Sequence, residues 1–320
     1  MRPFLRSCST VGSTNPVKSR RPATMARMGK ASRRKKVTDP AKLKAYRAPI
    51  PFVARPFEGM TKEVELVAMR EIIPAAIMSA RTTPEHGGIE CDLVTLLPDG
   101  RAAMVRSDGR VLVALQTRFN SGDLSHDVGA AVLAAIAAQK AGTEGIVDID
   151  VREPSERLQD ILDPEGFGDL DITDDFGFWF DPTEEIDADT CRALEENRAD
   201  IIPTEAVADV EGMYWCSMNR NFVRYVTDID ESALFNGLAR LGAQGTANVG
   251  EGSRFVGAFR ALGIAIPVFE LGEGVSAADV APEAQAFAKR LDEALALTDP
   301  LSDDERRIRA GMVSRQVTIR

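Results

Sequence analysis

Paired cysteines are missing from this chain: the four present, Cys8, Cys91, Cys191 and Cys216, lie far apart, and no CxxC occurs. That spacing excludes a zinc ribbon and supplies no disulfide framework, so a reducing cytosol is the expected compartment. Histidine is scarcer still, with only His86 and His126 available for acid–base work. Aromatic side chains make up 6% of the residues, with two tryptophans, Trp179 and Trp215. Long apolar runs are lacking too. The longest, VGAAVLAAIAA at 128–138, falls well short of the roughly 20 residues a bilayer-crossing helix needs. The N-terminus has no apolar core of the secretory kind. Neither GxxxxGK[ST] nor GxGxxG occurs, so the familiar phosphate-cradling loops are absent.

Charge is plentiful but unevenly placed. The 320 residues carry a net −10, yet residues 1–47 hold 14 Lys and Arg against the single acid Asp39, a net +13. The remainder, with 25 basic and 48 acidic residues, stands at −23. An acidic body trailing a basic arm does not match a duplex-binding domain, which wants its basic face on the folded part. The arm alone can still make weak contact with nucleic acid or a ribosome. With almost no apolar periodicity, residues 1–47 are expected to be disordered. MGKASRRKK begins at Met28, which suggests a start at Met25 or Met28 and an upstream artefact over 1–27.

The rest divides into a first half over 48–145, an acidic connecting region over 146–205 and a second half over 206–320. In the first half, Pro49, Pro51 and Pro56 impose an extended entry ending in RPFEG, a connection stapled by Phe57. Periodicity predicts helices over 63–73 and 125–139, and strands over 90–97, 102–106 and 110–117. The connecting region is dense in acids, but has no DxDxDG loop, so no metal is expected. It should contain short helices near 158 and over 187–197, with FGFWF (176–180) as an apolar strand or plug.

The second half opens with aromatic and β-branched runs at 213–218 and 221–227, a β-hairpin, followed by a helix capped by Asp230. Next, GEGSR brings Gly250, Gly252, Ser253 and Arg254 together ahead of Phe255, Val256, Phe259 and Leu262, whose spacing predicts another helix. A glycine turn opening a helix can offer N–H groups and a dipole to an anion, with Arg254 adding charge. These four residues are the candidate anion site, with Tyr214 and Trp215 as its candidate aromatic wall. A strand over IAIPVFEL follows, then a long helix opened by Pro282, and a basic helix started by the capping box Ser302–Glu305. LVAMR (66–70) and VGAFR (256–260) echo one another and hint at two related halves. The class is α+β, with mixed, mostly antiparallel sheets and packed helices.

RPFEG (55–59), VAMREIIPAA (67–76), LQDILDP (158–164), GFWF (177–180), YWC (214–216), GEGSRFVGAFRALG (250–263) and DDERRIRAGMVSRQVTIR (303–320) occur in that order. Together they resemble an uncharacterised actinobacterial family catalogued as a domain of unknown function, over Phe52 to Arg320. Some members carry an N-terminal SEC-C zinc motif and are labelled SecA-like for it. This chain has only Cys8 in its arm and no ligand set for zinc. The resemblance implies no activity. A His–Cys pair using Cys216 or Cys91 would allow nucleophilic catalysis, but no spacing brings such a pair together. The expected function is therefore a non-enzymatic cytosolic interaction or adaptor protein with a protein or peptide partner, needing no cofactor. An enzyme or small-ligand-binding protein using the turn at 250–254 is the alternative.

Overall fold

The computed structural model describes residues 49–318; the basic arm expected over 1–47 lies outside them. The fold is α+β. Its first part runs α1 (Glu63–Glu71), β1 (Ala76–Arg81), β2 (Glu90–Val94), β3 (Ala103–Val105), β4 (Val111–Ala114), α2 (Leu124–Lys140), β5 (Gly145–Val147), α3 (Leu158–Ile161), β6 (Leu170–Ile172) and α4 (Ala188–Asp200). The second runs β7 (Thr204–Ala206), β8 (Met213–Ser217), β9 (Asn221–Tyr225), α5 (Glu231–Ala243), β10 (Arg254–Ala261), β11 (Ile264–Glu270), α6 (Ala277–Leu295), α7 (Asp303–Val313) and β12 (Gln316–Thr318).

Each part builds a six-stranded mixed sheet, in the orders β5-β3-β4-β2-β1-β6 and β12-β10-β11-β9-β8-β7. The β6 edge strand comes from the acidic stretch between the halves and pairs with β1. In both sheets two hairpins lie side by side with their second strands innermost. The join differs, however: β2 and β4 run parallel, whereas β9 and β11 run antiparallel. The LVAMR and VGAFR echo is not a structural equivalence, because the first lies on helix α1 and the second on strand β10.

Helix α1 is the centre of the packing. Leu66, Val67, Ala68 and Met69 are all fully buried. They share one core with Met78, Leu93 and Val113 of the first sheet and with Tyr214, Ile264 and Ile266 of the second. A helix buried on successive positions, and not along one stripe, has neighbours on more than one side. Its first two acids are hydrogen-bonded: Glu63 Oε1 accepts from Arg55 Nε at 2.6 Å, and Glu65 Oε1 accepts from Lys62 Nζ at 2.6 Å. The opposite face of the second sheet meets α5 and α6 through Trp215, Phe269, Leu238 and Phe287.

The opposite face of the first sheet has a different cover. Val94, Leu97, Leu112 and Ala114 form a small separate cluster closed by Phe178 and Trp179. FGFWF is the plug of the two forms expected for it, with a turn of 3-10 helix over Gly177–Trp179. Arg106, 8% exposed, holds it in place. Its Nη1 donates to the Phe178 and Phe180 carbonyls at 3.1 and 3.0 Å, while Asp108 takes the rest of the guanidinium.

Two helix assignments need correction. Residues 254–261 are a strand, not the helix that apolar spacing suggested. A register shift between Phe255 and Gly257 puts Phe255 and Ala258 on the same face, a three-residue spacing that imitates a helix. The long C-terminal helix starts before Pro282, at a capping box in which Ser276 and Asp279 satisfy each other's backbone N–H groups.

Candidate functional site

The glycine turn leads into strand β10 and opens no helix, so the dipole argued for an anion, that of a helix beginning at Ser253, is missing. Gly250 and Gly252 hold φ of +108° and +75°, values that favour glycine. Ser253 stitches the turn: its Oγ donates to the Gly250 carbonyl at 2.7 Å and accepts from Val249 N–H at 2.8 Å. Acid surrounds the site, since the Glu283 side chain packs against Gly250. Arg254 Nη2 lies 2.7 Å from Glu270 Oε2, and Arg220 pairs with the other oxygen of the same carboxylate. The two guanidiniums, Arg220 first, hold Glu270 below the usual carboxylate range.

Tyr214 and Trp215 occupy neighbouring positions on β8 and so face opposite sides of the sheet. Tyr214 enters the α1 core, where burial pushes its phenol up. Trp215 enters the α5–α6 core, and its Nε1 donates to the Val275 carbonyl at 2.9 Å. They are not two walls of one pocket. Among the described residues no hydrogen bond joins a thiol to an imidazole. Burial pushes Cys91 up to about 12 and raises Cys216. His126 lies against Asp127 and the Glu153 carbonyl, and His86 against Thr83. Among the described residues, no group of three or more His, Cys, Asp or Glu is placed to hold a metal ion.

The arrangement that does bring chemistry together lies at the end of the first sheet. Because β4 sits between β2 and β3, the chain leaving β2 must cross over the carboxyl end of β4 to reach β3. The parallel partners β2 and β4 end on the same side, where the loops after them stay joined, Arg118 N–H donating to the Gly100 carbonyl at 3.2 Å, and a crevice lies beside them. It encloses about 430 Å³ and is lined by Leu97, Asp99, Gln116, Arg118, Arg70 from the end of α1, and Trp179 from the plug. The crossing loop turns sharply, with consecutive left-handed residues at Asp99 (φ +56°) and Gly100 (φ +63°). Gly100 also gives Arg118 room, since a Cβ there would stand 3.0 Å from Arg118 Cγ.

The electrostatics of this crevice are unusual for so acidic a body. Arg118 is exposed and has no ion pair among the described residues. Arg70 Nε is buried with no hydrogen-bond partner, and Glu71 Oε1, at 3.8 Å, is too distant to accept. An unmatched buried donor costs about 1–3 kcal/mol. Trp179 is already fixed: its Nε1 donates to the Leu96 carbonyl at 2.8 Å, and Phe176 stacks on it at 4.6 Å and 11°. A second cavity of about 320 Å³ beside α5 also contains an arginine, but its charge is engaged. Arg240 donates to the backbone carbonyls of Ala294, Leu297 and Asp299.

Sequence reasoning missed Arg70 and Arg118 because they lie 48 positions apart, on a helix end and a loop. The one sequence signal at the crevice was GFWF, an aromatic cluster with no place in a regular amphipathic element. No curated protein and no solved structure matches the chain. A family model does, over residues 56–320, which takes in α1, both sheets and the plug alike. The chain belongs to that family, a family of unknown function (DUF5926).

Proposed function

We propose that this protein works by contact, as a non-enzymatic cytosolic interaction or adaptor protein engaging a protein or peptide partner. The observation that carries this reading is at the sheet margins. Among the described residues, β5 and β12, two of the four edge strands, each have one side without a neighbouring strand. They carry Ile146 at 42% and Val317 at 64% exposure, among the few large apolar side chains left outside. Such an edge is a template on which an extended segment can add as a further strand. The −23 of the body suits a partner segment with basic residues, and the +13 arm adds weak attraction to nucleic acid or a ribosome. The alternative, an anion at Gly250–Arg254, lacks the helix opening on which it was argued, and Arg254 is engaged by Glu270, a carboxylate it shares with Arg220.

The test is a pull-down with the full chain, with Ile146→Lys and Val317→Lys, and with residues 28–47 deleted. A charge on the edge should abolish capture of the partner. Deleting the arm should weaken association at low salt and matter less at high salt, where charges beyond a Debye length are screened. Recovery of the same partners by both edge variants would remove the edges from the reading.

A further inference from the structure

We propose that the crevice beyond β2 and β4 binds a small aromatic anion, its ring against Trp179 and its carboxylate or phosphate held by Arg70 and Arg118. This site is separate from the sheet edges and does not rest on the partner reading. Its volume, about 430 Å³, falls within the roughly 300–1,000 Å³ of small-molecule sites. The polar groups of the lining divide into used and unused. Gln116 Nε2 already donates to the Met69 and Ile73 carbonyls, and Thr117 Oγ1 to the Phe119 carbonyl. Arg118 is left without an ion pair among the described residues, and Arg70, 3.8 Å from Glu71 Oε1, keeps an Nε with no hydrogen bond.

The lining sets two cations against the single carboxylate Asp99, with Glu71 beside Arg70 as the next acid, in a body of net −23. Guanidinium planes match carboxylate and phosphate oxygens in pairs, and their hydrogen bonds to such groups are charge-assisted. The indole supplies the other half of the recognition. Held by Leu96 and Phe176, it loses little freedom when a second ring packs on it. A ligand with only a ring would leave the cations unmatched, and one with only a charge would leave the indole unused.

The chain has two tryptophans, so a proton–nitrogen NMR spectrum of the full chain contains two indole signals, assigned by Trp215→Phe. Phenyl phosphate and benzoate are titrated alongside inorganic phosphate and phenol. The expected result is a saturable shift of the Trp179 signal with at least one aromatic anion, about tenfold tighter than with inorganic phosphate or phenol. Because Arg118 is exposed, Arg118→Ala should keep the fold and weaken that binding about tenfold. Arg118→Glu should abolish it, and Arg70→Ala should act like Arg118→Ala. No saturable shift with either aromatic anion would overturn the proposal. So would phenol or inorganic phosphate binding as tightly, or an unaltered shift in the Arg118 variants.

Discussion

Gly129 and Gly311 both sit inside helices, in α2 and α7, and helix propensity alone treats them alike: alanine is better by about 1 kcal/mol at each. Their surroundings separate them. A Cβ on Gly129 would stand 2.4 Å from the Glu156 carbonyl oxygen and 3.0 Å from Ile161 Cδ1, whereas one on Gly311 would meet nothing within 4 Å. Gly129→Ala should therefore destabilise the protein by about 1–3 kcal/mol despite its better propensity. Gly311→Ala should stabilise it by about 0.5–1 kcal/mol. Urea unfolding midpoints measure both, and a gain at 129 would contradict the close approach of α2 to the chain before α3. At this scale the candidate site was poorly legible. Gly250, Gly252 and Ser253 were recognisable as a turn, but whether Arg254 was free depended on Glu270, sixteen positions away on a paired strand.

The Phe176–Phe180 plug depends on the Arg106–Asp108 pair at the β3–β4 turn, which ties a loop more than 70 positions downstream to the sheet face. The Arg106 guanidinium beside Asp108 lowers its carboxyl from 3.8 to about 2. A folded value below the unfolded one adds stability that is complete above the ordinary carboxylate range. That contribution shrinks as pH falls from 3.8 and is gone below about 2. Asp108→Asn should cost about 1–3 kcal/mol at neutral pH, since it leaves a buried guanidinium without its counter-charge. The deficit relative to the unsubstituted protein should close over that acid range, as read from denaturant curves. A deficit independent of pH would detach Asp108 from the clamp.

Elements with a strong local signal were readable: the hairpin at β8 and β9, the Asp230 cap of α5 and the Ser302–Glu305 box of α7 each carry their own chemistry. The missed elements were the six-residue β1, whose small and polar residues hide its alternation, and the three-residue strands β5, β6, β7 and β12, which are too short to show one and exist because a distant partner is there to pair. β10 misled for a different reason. Its bulge places apolar side chains three apart, so a strand carries a helix-like pattern.

At the scale of the molecule, the shared core around α1 predicts that the two sheets unfold together. Trp179 reports on the first sheet and Trp215 on the second. Single-tryptophan variants made by Trp179→Phe and Trp215→Phe should each give one urea transition, normalised curves for the two probes of equal midpoint after correction for each variant's stability. Separate transitions within the doubly tryptophan-bearing chain, resolved by the indole NMR signals, would show that α1 does not couple them.

The position of α1 also bears on how the chain is made. It precedes every strand it packs against, yet Leu66 to Met69 are covered only once Ile264 and Ile266 have been synthesised. For some 200 residues of translation, at roughly 5–20 residues per second, the growing polypeptide carries an apolar helix whose cover from the second sheet is still incomplete. A ribosome stalled before β11 would therefore present this segment, incompletely covered, to the chaperones and proteases that survey nascent chains.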